Sequence, residues 1–162
     1  MISPPVPLGP EHDCTAFDCG EPLLDDWLKK HAMSNQRSGA SRTFVVADAD
    51  GRVAGYYALA AGAVDHGEAT GAIRRNMPDP IPVMVLGRLA IDRRSQGRKL
   101  GAALLKDAVL RCLAVAENAG VRALLVHALN DAAKAFYQRY GFVESPANPM
   151  TLMLRLPVPN RH

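Results

Sequence analysis

The residues best suited to bind a cofactor lie between Val83 and Ala103. An apolar run, VMVLGRLAI, ends at Asp92, and the basic, glycine-containing segment QGRKLGAALL follows it closely. We expect a buried strand that leads into a helix without an intervening loop. The first amides of a helix lack partners within the helix and lie at its positive end, so they bind phosphate well. The pattern therefore predicts a phosphate-binding turn.

A second segment, Asn130 to Phe142, supplies a group for proton transfer. It reads NDAAKAFYQRYGF, which predicts a short helix that begins after Asn130 and carries Tyr137. A phenol with a pKa near ~10 is suited to protonating a departing thiolate. Core packing is the alternative for this aromatic side chain. Together with the phosphate turn, Tyr137 favours a cofactor-dependent transferase.

Length and composition indicate one domain with an ample core. The chain has 162 residues, of which 48% are hydrophobic. It has no apolar run long enough to cross a membrane, and the N-terminal residues lack the pattern of a secretory signal, so we expect a cytoplasmic protein with no membrane partner. His12, Cys14 and Cys19 are too few for a zinc site, so no metal is expected.

Basic residues are grouped although the net charge is only +3. Such groups attract polyanions, whereas a solvated surface is the alternative explanation. The groups that the sequence offers to a polyanion such as a nucleic acid are Arg37 and Arg42 near the first helix, Arg74 and Arg75 in a loop, and Arg93 and Arg94 before the phosphate turn.

Periodicity predicts the elements that position these residues. A first helix is expected from Glu21 to about Ser34, with an apolar face, and a hairpin is expected from the strands Thr43 to Ala47 and Arg52 to Ala60. The segment from Gly62 to Pro82 is expected to be a functional loop or a short irregular helix.

The remaining elements alternate between strand and helix. Val83 to Ile91 is expected to be a strand buried on both faces, and a helix should run from Lys99 to about Asn118. A strand from Ala123 to Ala128, a helix from Asp131 to about Arg139, and a last strand from Thr151 to Leu156 follow. This order predicts an α/β fold in which helices flank a mixed sheet.

The turn resembles the acyl-CoA pyrophosphate loop of the Gcn5-related N-acetyltransferase (GNAT) superfamily, Q/R-x-x-G-x-G/A. Gln96, Gly97 and Gly101 fit this pattern, but Lys99 stands where glycine is usual. The contacts implied there come mainly from backbone amides, which lysine retains, so we expect retuned rather than lost CoA binding. The family's fold implies one GNAT domain over residues 1–162, with a mostly antiparallel central sheet.

The resemblance also implies a set of contacts with acetyl-CoA. The strand before the turn would pair with pantetheine, and the N–H of Leu89 would polarise the thioester carbonyl. Tyr137 would be the general acid toward the leaving thiolate. The residues implied to bind the cofactor are Leu89, Ala90, Ile91, Gln96, Gly97, Arg98, Lys99, Leu100, Gly101, Ala102, Asn130 and Phe136.

A closer resemblance spans most of the chain. The blocks Phe17 to Val46, Arg74 to Asp92 and Lys134 to Leu154 are similar to GNAT toxins of type II toxin–antitoxin modules. This resemblance implies acetylation of the α-amino group of aminoacyl-tRNA, a block in translation, neutralisation by a ribbon-helix-helix antitoxin, and a homodimer. Two alternatives stay open: a GNAT enzyme that acetylates a small amine or a protein amine, and a non-catalytic acyl-CoA-binding module.

Overall fold

The computed structural model describes residues 1–157. Its strands are β1 (Val6–Pro7), β2 (Arg42–Ala47), β3 (Val53–Val64), β4 (Ile81–Ile91), β5 (Ala123–His127), β6 (Val143–Glu144) and β7 (Thr151–Arg155). Its α-helices are α1 (Pro22–Lys30), α2 (Ala32–Ser38), α3 (Gly71–Arg74), α4 (Leu100–Asn118) and α5 (Asp131–Arg139). Short 3₁₀ turns lie at His66–Glu68 and Arg93–Ser95. Within the described residues, no helix is long and apolar enough to cross a bilayer.

The strands form one seven-stranded sheet in the order β1-β2-β3-β4-β5-β7-β6. Four pairings are antiparallel, namely β1 with β2, β2 with β3, β5 with β7, and β6 with β7, whereas β4 and β5 are parallel. The predicted mixed, mostly antiparallel sheet with flanking helices is therefore confirmed. The predicted hairpin is confirmed as well, with Arg42 opposite Leu59 and Ala47 opposite Val53.

The chain divides into two compact units. The first unit contains residues 1–60 and 87–108, and its core combines α1 with β2 and β3. At its centre, the Trp27 ring stacks on Tyr56 at a centroid distance of 6.0 Å, and Phe17 packs edge-on against the same tyrosine. Aromatic pairs in these geometries stabilise a core beyond their buried area, by about 0.5–1.5 kcal/mol.

The second unit contains residues 61–86 and, among the described residues, 109–157. Its core packs apolar side chains of α3 and β4 against those of β5 and β7. Ile73, Ile81, Val83, Leu125 and Met153 are each at most 2% exposed in this cluster. The tight packing fixes α3 and the ends of β4, β5 and β7.

The first helix differs from its prediction. A single helix was expected from Glu21 to about Ser34, but α1 ends at Lys30, and α2 begins at Ala32 after His31 takes a φ of −124°. Neither proline nor glycine marks this break in the sequence. Ala32 is fully buried in the same cluster as Trp27 and Leu28, so tertiary packing overrides the local pattern.

The segment from Gly62 to Pro82 contains short helices, which agrees with one of its two expected forms: a 3₁₀ turn at His66–Glu68 and α3 at Gly71–Arg74. Its ends differ from the expectation, because β3 continues to Val64 and β4 starts at Ile81. The prediction missed this because alanine and glycine in the extended part of β3 give no strand signal. The passage from β4 to α4 is also not direct, because a turn from Asp92 to Lys99 lies between them.

The burial of β4 also departs from expectation. Val83, Leu86 and Ala90 are buried, but Gly87 is exposed and Arg88 and Leu89 are half-buried. The register with β5 runs from Val83 to Leu86 only. An apolar sequence without alternation predicted burial on both faces, whereas the last five residues of the strand lie beyond the β5 register.

Candidate active site

The phosphate turn of the first unit has the backbone expected of an anion cradle. Gly97 has a φ of 82° and Lys99 a φ of 62°, so two residues before α4 are left-handed. Turns with such alternation aim successive amides into one concavity. The first intrahelical bond here joins the N–H of Ala103 to the carbonyl of Lys99 at 3.1 Å, which leaves the amides of the first turn of α4 without helical partners.

Lys99 stands where glycine is usual in the family's loop, and its backbone is left-handed, a conformation that glycine adopts readily. Its φ of 62° lies in the left-handed region, which a Cβ makes costly, by about 1–2 kcal/mol. The turn therefore has a left-handed residue at this position with lysine in place of glycine. Since the expected contacts with a pyrophosphate use amides, the turn fits that group with lysine in place.

The side chain of Gln96 holds the turn in place through hydrogen bonds to the backbone of two other segments. Its Nε2 donates to the carbonyl of Ile91 at 2.9 Å and to the carbonyl of Cys19 at 3.1 Å. The first bond joins the turn to the last residue of β4, and the second joins it to the segment before α1. This side chain therefore positions the turn, in addition to the direct cofactor contact that the sequence predicts for it.

Asp92 holds the other end of the turn. Its carboxylate accepts hydrogen bonds from the backbone N–H of Asp18 at 3.0 Å, the N–H of Arg94 at 2.9 Å and the Arg94 Nε at 3.0 Å. Burial acts to raise the pKa of Asp92, but these bonds and the Arg94 charge outweigh it, so the pKa lies below its ordinary value. The carboxylate thus stays ionised and pins the turn.

The predicted strand residues Leu89, Ala90 and Ile91 lie at the end of β4, next to Arg88. Sequence patterns gave no signal for Arg88, whose guanidinium lies 4.3 Å from the centre of the Trp27 ring. This cation–π contact holds Arg88 against α1. Arg98, Leu100, Gly101 and Ala102 follow in the turn and the first turn of α4, as predicted.

In the second unit, Tyr137 lies on α5 as predicted. Asn130 caps this helix, because its Oδ1 accepts the N–H of Ala133 at 2.9 Å. Tyr137 is 7% exposed, and its ring packs against Phe136 and Phe142 at centroid distances of 5.3 and 5.5 Å. Burial raises the pKa of the phenol to about 12. The phenol of Tyr137 is therefore neutral at all ordinary pH values.

Phe136 supports this tyrosine. Its ring contacts Tyr137 on one side and Tyr140 on the other, at a centroid distance of 5.2 Å from the latter. Tyr140 is 44% exposed, in contrast with the buried Tyr137. The two phenols therefore differ in burial, and the sequence assigns the catalytic role to the buried one, Tyr137, and a structural role to Tyr140.

The basic residues predicted to bind RNA lie in both units. Arg37 and Arg42 lie at the end of α2 and the start of β2, where Arg42 donates to the carbonyl of Gln36 at 2.7 Å. Arg93 pairs with Asp18 at 3.4 Å and Arg94 pairs with Asp92. Both guanidinium groups stay more than half exposed despite these pairs, so they remain accessible to an anion.

Arg74 and Arg75 lie in the second unit at the end of α3. Arg74 donates to the carbonyl of Ala69 at 3.2 Å, whereas Arg75 lines a cavity. Although the two arginines are adjacent in the sequence, their side chains therefore have different surroundings.

Other candidate nucleophiles and ligands have no catalytic setting. Cys112 is fully buried on α4, and burial raises the pKa of its thiol to about 12, so a thiolate does not form near neutral pH. Among residues 1–157, no group of three His, Cys, Asp or Glu side chains is arranged to hold a metal ion.

Comparison with known proteins identifies the domain. The family model for the acetyltransferase (GNAT) domain matches residues 40–144, which include the turn and Tyr137. The chain is 53% identical to a tRNA-acetylating toxin of Mycobacterium tuberculosis over 152 residues, which are 94% of this chain and 91% of that protein.

Two solved structures are similar over nearly their whole length. AtaT complexed with acetyl-methionyl-tRNAfMet is 28% identical, with a TM-score of 0.88, and the match covers 96% of this chain and 95% of that one. A tyrosine-to-phenylalanine variant of the AtaT toxin, bound to acetyl-CoA and to the C-terminus of the antitoxin AtaR, is 29% identical, with a TM-score of 0.81 and coverage of 96% and 93%. The chain accordingly belongs to the GNAT acetyltransferase family.

Proposed function

We propose that this GNAT enzyme is a toxin that transfers the acetyl group of acetyl-CoA to the α-amino group of an aminoacyl-tRNA. The observation that carries the proposal is the 53% identity, over 94% of the chain, to a tRNA-acetylating toxin. An acetylated amino group cannot accept a peptide, so the product blocks translation. The cytoplasm, where charged tRNA is used, is the expected site of action.

Acetyl-CoA supplies an acetyl group activated as a thioester. The amides of Gly97 to Ala102 would hold its pyrophosphate, since two left-handed residues and the start of α4 turn them into one concavity. The backbone of Leu89, Ala90 and Ile91 would bind the pantetheine arm, and the N–H of Leu89 would donate to the thioester oxygen as negative charge develops there.

The acceptor needs little help to become a nucleophile. An α-amino group has a pKa near ~8, and esterification of the carboxyl group lowers it, so much of the substrate is neutral near pH 7. The amine nitrogen forms a bond to the acetyl carbon as the carbon–sulfur bond breaks. The amine loses one proton to solvent, and the phenol of Tyr137 gives one to the departing sulfur and regains one from solvent.

Positive side chains would hold the tRNA. Neutralising RNA phosphates with arginine releases counterions and gives affinity that falls as salt rises. Arg37 is exposed at the end of α2, and Arg93 and Arg94 keep exposed guanidinium groups beside the phosphate turn. These residues, with Arg42, Arg74 and Arg75, are the proposed tRNA contacts.

The proposal includes two protein partners. A related toxin binds the C-terminus of an antitoxin, and we infer a cognate ribbon-helix-helix antitoxin for this chain. A second copy of the chain is also proposed, which would make the toxin a homodimer.

The experiment that tests the function uses purified protein, labelled acetyl-CoA and total charged tRNA. Label should enter the RNA and leave with the amino acid on mild alkaline deacylation. Label in proteins or small amines, with none in RNA, would support a different GNAT substrate. Acetyl-CoA binding with no transfer to any acceptor would indicate a non-catalytic binding module.

A further inference from the structure

A cavity of about 370 Å³ in the second unit is lined by three arginines, Arg75, Arg122 and Arg155. It lies where β5 begins, because Arg122 immediately precedes this strand and Arg155 pairs with Ala123 across from it. Helix α5, with Tyr137, follows the opposite end of β5. Since β5 has five residues, the two ends are roughly 13 Å apart along the strand. The cavity is therefore separate from the tyrosine.

The wall of the cavity is fixed by Arg122. Its Nε donates to the carbonyl of Ile73 at 3.0 Å, and its Nη2 donates to the carbonyls of Ala72 at 3.0 Å and Arg75 at 3.4 Å. These bonds satisfy the last carbonyls of α3 and tie them to the start of β5. A site whose wall is held in this way loses little entropy when it binds a ligand.

The next residue along the wall, Asn76, has a φ of 60°. Asparagine tolerates this left-handed conformation better than most residues. It turns the chain sharply after Arg75 and keeps Arg75, Asn76 and Met77 along one side of the cavity.

The charge of the lining is unbalanced. Three of the described residues that line the cavity are arginines, and none of the described lining residues is acidic. Burial, and then the positive charge of Arg155, lower the pKa of Arg122. Within residues 1–157, the Nη1 of Arg122 makes no hydrogen bond, so the guanidinium retains donors for a ligand.

Arg74 provides an internal contrast. It precedes Arg75 directly, but its Nη1 donates to the carbonyl of Ala69 at 3.2 Å, and it does not line the cavity. Only one arginine of the adjacent pair therefore faces this site. The turn after α3 decides which of the two arginines lines the cavity, and the sequence alone does not predict it.

We propose that this cavity is a binding site for a dianionic phosphate group, that is, inorganic phosphate or a phosphate monoester. Arginine forks bind phosphate oxygens in pairs, and three of them suit a group with several oxygens and two charges. A volume of about 370 Å³ holds more than a bare phosphate ion, so there is room for the group to which a monoester is attached. The site rests on its own lining and does not require the proposed acetyl transfer.

The test is calorimetric titration of the full chain near pH 7.5, where phosphate monoesters are mostly dianions. Inorganic phosphate and methyl phosphate should bind, and dimethyl phosphate, a monoanion, should bind about tenfold more weakly or worse at the same ionic strength. Arg75→Gln and Arg155→Gln should each weaken phosphate binding about tenfold. Arg139→Gln, an exposed arginine on α5, removes the same charge and should leave the affinity unchanged.

The variant Arg155→Lys keeps the positive charge, and it replaces Arg155→Gln in the test if Arg155→Gln does not fold. It should bind phosphate more weakly than the wild type, because lysine lacks the planar fork. Short RNAs with a 5′-phosphate or a 5′-hydroxyl identify the source of the phosphate: a preference for the phosphorylated end assigns the site to an RNA terminus, and equal behaviour with binding of inorganic phosphate assigns it to a small molecule.

Three results would contradict the proposed phosphate site. They are the absence of phosphate binding, equal binding of dimethyl phosphate, and equal losses in Arg139→Gln and the two cavity variants. Acetyl-CoA turnover is measured in parallel, so failure of the phosphate site is distinguished from failure of the proposed enzyme activity.

Discussion

The side chain of Gln96 is hydrogen-bonded to the carbonyl of Ile91 at 2.9 Å, which joins the phosphate turn to the last residue of β4. The strand that would bind the pantetheine arm and the turn that would bind the pyrophosphate are thus joined by a single side-chain amide. A second bond from the same Nε2 reaches the carbonyl of Cys19 at 3.1 Å. Gln96, which the sequence predicts to bind the cofactor, thus also holds the turn in place.

Gln96→Ala should therefore weaken cofactor binding more than it slows chemistry. Loss of two hydrogen bonds at about 1 kcal/mol each loosens the turn, so the Kd for acetyl-CoA should rise by roughly tenfold. The measurement is equilibrium binding together with kcat. Gln138→Ala, at an exposed position on α5, is the control. An unchanged Kd for Gln96→Ala would mean that these hydrogen bonds are unnecessary.

Gly97 and Lys99 should respond to substitution with opposite signs. Both have left-handed φ angles, 82° and 62°. Gly97→Ala should lower the free energy of unfolding by about 1 kcal/mol, although nothing lies within 4 Å of the added Cβ. Lys99→Gly should raise it by up to about 1 kcal/mol, because the strain of the Cβ outweighs the entropy of glycine. Urea unfolding measures both.

The variant Lys99→Ala distinguishes the effect of backbone strain at position 99 from the effect of the lysine charge. It keeps the strained Cβ and removes the ammonium group, so its stability should match the wild type. A loss of acetyl-CoA affinity in Lys99→Ala but not in Arg139→Gln would show that the ammonium contacts the cofactor. If Lys99→Gly were less stable than Lys99→Ala, the left-handed conformation would not be a source of strain.

Tyr137→Phe should lose most turnover while it keeps acetyl-CoA affinity, because the substitution removes only the proton donor. Burial raises the pKa of this phenol to about 12, so the neutral form persists as pH rises. The pH profile of kcat should accordingly show no alkaline loss due to Tyr137 up to about pH 10. A fall of kcat near pH 8 that disappears in Tyr137→Phe would contradict the assignment, as would equal losses of binding and turnover.

Asp92 should make stability depend on pH at the acidic end. Its folded pKa is lowered, so the unfolded chain takes up the proton first, and the stabilisation is present above the unfolded pKa near ~4 and is lost as pH falls through the folded pKa. Asp92→Asn should destabilise the fold by about 1–3 kcal/mol at pH 7, because buried donors lose a charged acceptor.

The same variant should flatten the loss of stability between about pH 5 and pH 2. Urea unfolding at a series of pH values measures this slope. Asp50→Asn, on the exposed hairpin turn, is the control and should keep the slope of the wild type. A slope unchanged by Asp92→Asn would place the acid sensitivity elsewhere.

Sequence patterns predicted the sheet class, the hairpin, α4, α5 and the position of Tyr137, because each has a local signal. Asn130 caps α5 as its residue type predicts, and Leu104, Leu105, Ala108 and Cys112 are buried along α4 as their spacing predicts. The break at His31 and the strand to Val64 have no local signal, since packing in the core decides them.

The same distinction applies to side-chain contacts. Arg74 and Arg75 are adjacent in the sequence, yet only Arg75 lines the cavity, whose other arginines are distant along the chain. The hydrogen bonds of Gln96 and the contact between Arg88 and Trp27 likewise depend on residues brought together by folding. The family resemblance located the turn in the sequence, but the hydrogen bonds and contacts of its individual side chains depend on the folded structure.

The proposed function requires that the acetyl group reach the amino acid of a charged tRNA. The most direct measurement is mass spectrometry of nuclease-digested tRNA after incubation with the wild type or Tyr137→Phe and acetyl-CoA. We expect aminoacyl-adenosine that is one acetyl group heavier, formed by the wild type and almost absent with the variant. Unmodified aminoacyl-adenosine with the wild type, under conditions where it binds acetyl-CoA and charged tRNA, would contradict the claim.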